Sequence, residues 1–278
     1  RGLGDVYKRQ IPTGSGKLFI WIYGPNKSEI NDHYKFRSLK NKFSIHTKTK
    51  FFDELTFGYI NFNYNFFEVG ESLEKISGEN TSLVHGKFLK KFKKSKIQLD
   101  INQKLNGKRV GNNFDLSFES LATNKFNYKL NFNNIQSHPG LIYDIYQSDY
   151  DNISFNNNHK LSDIKSLDVK LYYDKFGNLN IGYSNITNHF YLTVDSSQQN
   201  KLKPFINQYD GNINYLKIRY NKEFKFGIFS LDNSIIFQNV KQNEQVINLP
   251  KLLIRNTLYI SEKVFKNVLD LQTGISLK

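Results

Sequence analysis

The segment Pro12–Lys17 is the first place where residue types and spacing could do chemistry. It reads Pro-Thr-Gly-Ser-Gly-Lys, close to the glycine-rich turn that cradles phosphates in nucleotide-hydrolysing proteins. That chemistry requires GxxxxGK followed by Ser or Thr, so that a hydroxyl reaches magnesium. Here Ile11 stands in place of the first Gly, and Leu18 follows the Lys. The next residues favour a strand, not a helix whose N-terminus could hold phosphate. We therefore expect a flexible turn here.

The segment Lys87–Lys96 carries six lysines in ten residues, with Phe88 and Phe92 between them. A basic stretch with interleaved aromatic residues could bind nucleic acid by pairing with phosphates and stacking on bases. Lysines also commonly solvate turns and strand edges, where their long side chains reach water or lipid phosphates. We expect the second role, a turn between two strands.

Asp144, Asp149 and Asp151 lie together in the aromatic-rich segment Leu141–Asn152. Several carboxylates in one loop can hold calcium, but this loop lacks the repeated carboxylate spacing and the Gly of a calcium loop. We expect a solvated loop. A loop that folds into the mouth of a barrel and narrows it is an alternative.

Other reactive side chains form no recognisable constellation. The six histidines are scattered, and none shows a two-His spacing with a nearby carboxylate: His33, His46, His85, His138, His159 and His189. No Ser lies in a GxSxG elbow. The sequence therefore predicts no catalytic, cofactor-binding or metal-binding residue and no enzyme, and it identifies no ligand-binding residue.

The composition limits the class of protein. Only 38% of the residues are apolar but 15% are aromatic, with 24 Phe and 17 Tyr against one Trp. A disordered chain would lack the aromatic residues, and a soluble globule would be richer in small aliphatic residues.

No apolar run approaches the ~18 residues of a transmembrane helix. The net charge of +14 is spread along the chain and points only weakly to a partner. The chain contains no Cys, which excludes disulfides and thiolate metal sites.

Apolar and polar residues alternate along most of the chain, which predicts strands with one apolar face and one polar face. Apolar residues fall at all or most alternate positions in the stretches Phe43–Thr47, Ile60–Phe66, Ile97–Ile101, Phe114–Phe118, Phe126–Phe132, Leu167–Tyr173, Leu216–Tyr220, Leu252–Ile260 and Leu269–Leu277. We count roughly 12–14 strands, many near the ~9–11 residues that a tilted membrane-crossing strand needs.

The connections are of two lengths. Short turns are predicted near Asn106–Gly107, at 122–124 and at 175–178, where Gly and Asn supply the positive φ of tight hairpins. Long loops are predicted at about Glu68–Asn80, Asn133–Asn152 and Asp195–Gly211. Short turns that alternate with long loops are typical of outer-membrane barrels.

Alternation alone does not distinguish a membrane barrel from a soluble β-sandwich with a buried apolar face. Long, even strands favour the barrel, and so does the lack of a helix or of a Cys–Trp core. Aromatic residues near strand ends, where interface girdles lie, point the same way: Tyr64, Phe66, Tyr173, Tyr183, Tyr220 and Tyr259.

Two regions resemble the putative porin family of the Bacteroidetes outer membrane. One is Phe19–Lys27, which reads Phe-Ile-Trp-Ile-Tyr-Gly-Pro-Asn-Lys. The more specific one is the Leu-Pro…Arg-Asn-Thr-Leu-Tyr stretch of Leu249–Tyr259, followed by Val264–Gly274 with its Phe-Lys and Leu-Gln-Thr-Gly. The resemblance implies a single-chain antiparallel transmembrane β-barrel of the outer-membrane type, with no family-wide catalytic residue.

The expected organisation follows from these points. Residues 1–10 resemble a translated sequencing adaptor and are expected to be a non-native leader, and residues 11–278 are expected to form one incomplete barrel domain. Because the chain contains no Met, we expect that the native N-terminus is missing. Because the last predicted strand stops without a terminating signal, we expect that the C-terminal strands are missing as well.

The expected function is passive diffusion of small polar solutes through a polar lumen in the bacterial outer membrane, without cofactors. The expected partners are outer-membrane lipid, lipopolysaccharide and the solutes themselves, but not nucleic acid, and the sequence does not fix an oligomeric state. A non-conducting or ligand-binding barrel, and a soluble all-β protein that binds glycan or nucleic acid, are the alternatives.

Overall fold

The computed structural model describes residues 7–10, 31–69, 73–120, 126–138, 159–195, 203–266 and 268–277, and these form an antiparallel β structure. The strands are β1 (Tyr7–Gln10), β2 (Asn31–Thr47), β3 (Glu54–Val69), β4 (Leu73–Lys91), β5 (Ser95–Asn106), β6 (Val110–Ser120), β7 (Phe126–Ser137), β8 (Ser162–Tyr173), β9 (Gly177–Thr187), β10 (His189–Asp195), β11 (Lys203–Tyr209), β12 (Ile213–Phe226), β13 (Phe229–Lys241), β14 (Leu252–Val264) and β15 (Leu269–Leu277).

Thirteen strands form one sheet, in which each strand pairs with the next along the chain except that β9 pairs with β12. β10 and β11 form a separate two-stranded hairpin inserted between those two strands. β1 and β15 are the outermost strands, so the sheet is not closed within the described residues. The predicted all-β antiparallel class is confirmed, and the main sheet falls within the predicted strand number. Among the described residues, no helix is long and apolar enough to cross a membrane.

The strand register gives the sheet one apolar face and one polar face. Directly paired residues lie on the same side of an antiparallel sheet, so each row of partners can be followed from strand to strand. One row is apolar on eight consecutive strands of the sheet: Ile97, Phe118, Leu130, Val169, Ile181, Ile218, Phe237 and Leu252. We call this side the apolar face and the opposite side the polar face.

The polar face is the more enclosed of the two. Ser117 is 6% exposed, whereas its neighbour Leu116 on the apolar face is 38% exposed. Ser234 is 8% exposed, and the adjacent Ile235 is 40% exposed. This is the reverse of a soluble sandwich, in which the apolar face is buried. The sheet therefore curls toward its polar side.

The sides are exchanged in the half of β3 that follows Tyr59. Ile60, Tyr64 and Phe66 are buried on the polar-face side, and Asn61 and Asn65 take positions in line with the apolar face. The alternation predicted for Ile60–Phe66 is present, but its aromatic residues do not face the same way as those of the other strands. The part of the sheet that carries the apolar face, the apolar band, therefore ends in the middle of β3. The long strands β2, β3 and β4 continue beyond it as an extension with mostly polar side chains on its outer side.

The two ends of the sheet differ in their connections. One end, the short-turn end, has the connections 48–53, 92–94, 121–125, 174–176, 227–228 and 265–268. The other, the long-loop end, has 138–161, 188–212 and 242–251, together with the short connections 70–72 and 107–109. The asymmetry predicted from the sequence is therefore present.

Four predicted connections need correction. The long loop predicted at Asp195–Gly211 is wrong in part, because the strand β11 (Lys203–Tyr209) lies within it. The long loop predicted at Glu68–Asn80 is wrong, because β3 runs to Val69 and β4 begins at Leu73. The turn at Gly107, which has a φ of 103°, lies at the end that carries the long loops. The loop predicted from Asn133 begins later, because β7 runs to Ser137.

The β10–β11 hairpin packs on neighbouring connections at the long-loop end. Asn188 turns the chain between β9 and β10 with a φ of 53°, and its side-chain amide donates to the Leu161 carbonyl oxygen at 3.1 Å. The Tyr209 hydroxyl accepts the backbone N–H groups of Asn243 at 3.0 Å and Glu244 at 3.3 Å. Ile213 beside it is fully buried. The hairpin is thus tied to the connections on both sides of it.

The predicted division at residue 10 is not tested by the fold. Residues Tyr7–Gln10 form β1 and pair with Asn31–Tyr34 of β2. A strand at this place is compatible with a native or a non-native leader, and the domain boundaries stay a prediction.

Candidate functional site

The polar face is the candidate functional surface, because it collects charged and amide side chains that a lumen wall would need. The alternation of each strand puts these residues on one side, and the register aligns them across the sheet. The charged residues that the pairing places on this side of β5 to β9 and β12 are Lys96, Asp100, Lys104, Asp115, Glu119, Lys129, Asp168, Lys170, Lys217, Arg219, Glu223 and Lys225.

Glu119 lies between two lysines near the short-turn end. Its carboxylate oxygens lie 2.5 Å from the Lys96 ammonium and 3.3 Å from the Lys129 ammonium. The three residues are direct cross-strand partners on β5, β6 and β7. On β8, Lys170 is the direct partner of Lys129 and has no ion pair among the described residues.

A groove of about 600 Å³ lies on the polar face over these residues. Its lining includes Lys96, Glu119, Lys129 and Lys170, and Asn178, Asn180 and Asn221 add amide groups at its far side. Three ammonium groups against one carboxylate make the groove electropositive. The groove can therefore bind a small solute that carries negative charge.

Tyrosines mark the borders of the apolar face. Tyr183 lies on that face, and its hydroxyl donates to Asn214 Oδ1 at 2.8 Å. Tyr220 lies on the same face near the short-turn end, and its hydroxyl donates to the Phe176 carbonyl oxygen at 2.6 Å. An apolar ring with a polar tip suits the water–lipid boundary.

The girdle predicted from the sequence is thus only partly correct. Tyr173 also lies on the apolar face, as predicted. Tyr64 and Phe66 are buried on the opposite side, and Tyr259 lies on the polar face, where its hydroxyl donates to Glu223. Sequence position near a strand end does not reveal the side of the sheet.

The lysine-rich segment Lys87–Lys96 forms the end of β4, a turn at 92–94 and the start of β5. Lys87 pairs with Glu54 at 2.9 Å. The predicted turn is therefore confirmed, and it belongs to the short-turn end. The remaining sequence candidates, Pro12–Lys17 and the aspartates 144, 149 and 151, lie outside the described residues.

The histidines are not brought together as a metal centre in the described part of the chain, where no cluster of three or more His, Cys, Asp or Glu is found. The His46 ring bonds the Thr56 hydroxyl at 2.9 Å, and the His85 ring bonds Asn102 at 2.9 Å. His138 and His159 lie 6.5 Å apart between ring centroids, beside Phe190. Burial in the hairpin lowers the pKa of His189 below its ordinary value of 6.5.

Lys129, Lys170 and Arg219 were not singled out from the sequence. Each is one lysine or arginine in an alternating strand, and nothing local distinguishes it from other basic residues. Only the pairing of β7 with β8, of β8 with β9 and of β9 with β12 aligns them. The alternation predicts that the three residues share one face of the sheet, but it does not predict that they lie side by side across neighbouring strands.

The fold is similar to solved outer-membrane proteins. The copper transporter OprC matches with a TM-score of 0.58 and 11% identity, over 84% of this chain and 42% of that one. The siderophore receptor PirA from Pseudomonas aeruginosa matches with a TM-score of 0.59 and 10% identity, over 89% and 48%. PirA from Acinetobacter baumannii matches with a TM-score of 0.56 and 9% identity, over 91% and 43%. The chain therefore spans less than half the length of each, and the likeness shows the fold alone.

The comparison of sequences identifies the family. No curated protein matches the chain. The profile of the family described as "Putative porin" matches residues 6–278, which is nearly the whole chain. With the fold of outer-membrane barrel proteins, this match locates the protein in the bacterial outer membrane. The family resemblance seen in the sequence is confirmed: this chain belongs to the putative porin family.

Proposed function

We propose that the protein is an outer-membrane pore that lets small polar solutes diffuse passively through a lumen lined by the polar face. In this proposal it catalyses no chemical step. The apolar face contacts the lipid acyl chains, and the side chains of the polar face hydrate the path. Family membership gives the outer-membrane barrel; conduction is the proposal.

One observation carries it: the enclosed face of the sheet is the polar one. Ser117, Ser234 and Gln238 are each at most 8% exposed, and each lies beside an exposed apolar residue of the opposite face. Burying hydroxyl and amide groups while exposing Leu, Ile and Phe is unfavourable in water. It is favourable when lipid covers the outside and water fills the inside.

The orientation follows from the connections. Outer-membrane barrels have short periplasmic turns and longer extracellular loops. We propose that the short-turn end faces the periplasm and that the long-loop end, with the β10–β11 hairpin, faces the exterior. There the borders of the apolar face would contact lipopolysaccharide.

A planar-bilayer recording of the intact protein tests conduction. We expect stepwise current increases on insertion, with an open state that does not depend on an added substrate. A correctly inserted barrel, shown by a mobility shift on boiling, that stays electrically silent would contradict the proposal.

A ligand-specific barrel is the second candidate, and the β10–β11 hairpin favours it. Its contacts to Lys160, Asn243 and Glu244 hold it against its neighbouring connections at the long-loop end. The similar structures are a copper transporter and siderophore receptors. In that case the silent barrel would still take up one class of solute, and a liposome uptake assay would separate the two functions.

A further inference from the structure

Seven residues of the polar face lie at one level of the sheet. Following the direct partners from β4 to β12 gives Lys91, Lys96, Glu119, Lys129, Lys170, Asn180 and Arg219. We call this set the basic row. It contains five basic residues and one acidic residue, so its formal charge is +4.

Neighbouring levels of the same face lack this excess. The next level toward the long-loop end has one acid and one base: Leu89, Gln98, Ser117, Asn131, Asp168, Gly182 and Lys217. The level after it has two acids and one base: Lys87, Asp100, Asp115, Asn133, Ser166, Ser184 and Tyr215. Over these three levels of the wall, the positive charge is therefore concentrated in the basic row.

Two members of the row lack the partners that a purely structural role would supply. Lys170 lies directly opposite Lys129, a like-charge placement that destabilises a sheet. Glu119 forms ion pairs with Lys96 and Lys129, whereas Lys170 has no ion pair among the described residues. The Nε atom of Arg219 is buried and has no hydrogen-bond partner in the described part of the chain. Of the two, Lys170 lines the groove, so its ammonium stays available to a ligand there.

The row borders a groove with space for a solute. Lys96, Lys129 and Lys170 line a volume of about 600 Å³ together with the amides of Asn178 and Asn180. Ammonium and amide donors that converge from several strands match the oxygens of a phosphate or carboxylate group. In a lumen, a row of fixed positive charge on the wall raises the local concentration of anions and lowers that of cations.

We propose that the basic row is an anion-binding site for small solutes carrying a phosphate or carboxylate group and that it makes the lumen anion-selective. The selectivity rests on the proposed pore, whereas the binding site does not. Lys170 and Lys129 contact the anion, and Glu119 is a positioning residue that holds Lys96 and Lys129 toward the groove.

The test uses the intact protein, with inorganic phosphate as the probe. In planar bilayers of neutral lipid, the reversal potential in a KCl gradient should show chloride preferred over potassium, and added phosphate should reduce the chloride current. Calorimetry of the protein in detergent should give a dissociation constant for phosphate that matches the phosphate concentration at which the chloride current is halved. Binding in detergent free of phospholipid distinguishes a solute site from a contact with lipid phosphate.

Lys170→Gln should weaken phosphate binding about tenfold, because it removes one charge-assisted contact. It should leave the barrel folded, since it also removes the Lys170–Lys129 repulsion. Lys165→Gln is the matched control: it lies on the same strand but on the opposite face, beside Asp163. Lys217→Gln removes a lysine of the polar face outside the row. Both controls should bind phosphate like the wild type.

The outcomes separate the site from the pore. An open channel without anion preference would overturn the proposed selectivity. Equal losses of phosphate binding in the Lys170 and Lys217 variants would overturn the binding site. A silent barrel that still binds phosphate through Lys170 would support the site and contradict the pore. A folded barrel that is silent and binds no phosphate would contradict both.

Discussion

Single hydroxyl groups hold the loops of this protein, and Tyr209 is the clearest case. Its hydroxyl accepts the N–H groups of Asn243 and Glu244, and the residue is 5% exposed. In Tyr209→Phe these two N–H groups lose their acceptor at a partly buried place, which costs about 1–3 kcal/mol. We expect faster hydrogen exchange in the 242–251 connection, measured by mass spectrometry.

Tyr191→Phe is the matched control for this substitution. The Tyr191 hydroxyl accepts the side-chain amide of Asn207 at 3.0 Å, within the hairpin itself. Exchange in the 242–251 connection should therefore stay at the wild-type rate. An equal acceleration in both variants would mean that the hairpin loosens as a unit and that the Tyr209 bonds are not the link.

His189 should make the hairpin sensitive to acid. Burial lowers the pKa of His189 below 6.5 in the folded hairpin, and Tyr209 is its direct cross-strand partner. A base with a lowered pKa binds its proton more readily when unfolded, so the hairpin is most stable above about pH 6.5 and loses stability as the pH falls below that value. Limited proteolysis of the 188–212 segment should accelerate as the pH falls from about 7 toward 5.

His189→Gln removes this titration, and its proteolysis should change little over the same pH range. His85→Gln is the control, because the His85 ring bonds Asn102 on the main sheet, away from the hairpin. The explanation fails if the acid sensitivity survives in His189→Gln or disappears in His85→Gln.

At the scale of the strands, the sequence predicted most of the fold because alternation is a local signal. Ile97–Ile101, Phe114–Phe118, Phe126–Phe132 and Leu167–Tyr173 all put their predicted apolar residues on one face. Each stretch carries its period of two in its own residues, so no knowledge of its partners is needed.

What the sequence could not give depends on neighbouring strands. Ile60–Phe66 has the same period, but its side is set by the extension of β2, β3 and β4 beyond the apolar band and by contacts such as the 2.6 Å bond from Tyr64 to Glu79. The basic row depends on register, which turn lengths and the bulge near Ser82 and Leu83 fix. A shift by one residue would exchange every face.

The two faces of β7 allow a direct test of which side contacts lipid. Leu130 lies on the apolar face and Asn131, its neighbour, on the polar face near Asp115 and Asp168. Leu130→Lys should lower the free energy of unfolding in a bilayer by about 2–4 kcal/mol, because it puts a charge against acyl chains. Asn131→Lys should be nearly neutral, since its ammonium would meet two carboxylates. Urea unfolding of the intact protein in lipid vesicles measures both, and similar losses would contradict the assigned faces.

At the scale of the whole molecule, the buried and exposed side chains are exchanged relative to a soluble protein. Leu39, Phe43, Ile45 and Leu258 are each more than half exposed, while Thr56 and Thr81 are almost fully buried. The hydrophobic effect would drive such a sheet to aggregate in water. Lipid removes that cost by covering the apolar face, and the enclosed polar face keeps water.

The outer edges of the sheet give the last prediction. β1 and β15 pair with only one neighbour each, so both present a row of backbone groups without a strand partner in the described chain. Lipid offers no hydrogen bonds to such an edge. We expect this 278-residue chain, refolded from urea into detergent, to associate through these edges. Light scattering after size-exclusion chromatography, corrected for bound detergent, should then give a protein mass at least twice the 32.6 kDa of one chain. On a gel the unboiled sample should migrate as an oligomer and the boiled sample as a monomer, with a sample kept in urea as the unfolded control. A monomer whose mobility shifts on boiling would contradict this expectation, because it would mean that β1 and β15 pair with each other and that the sheet closes by itself.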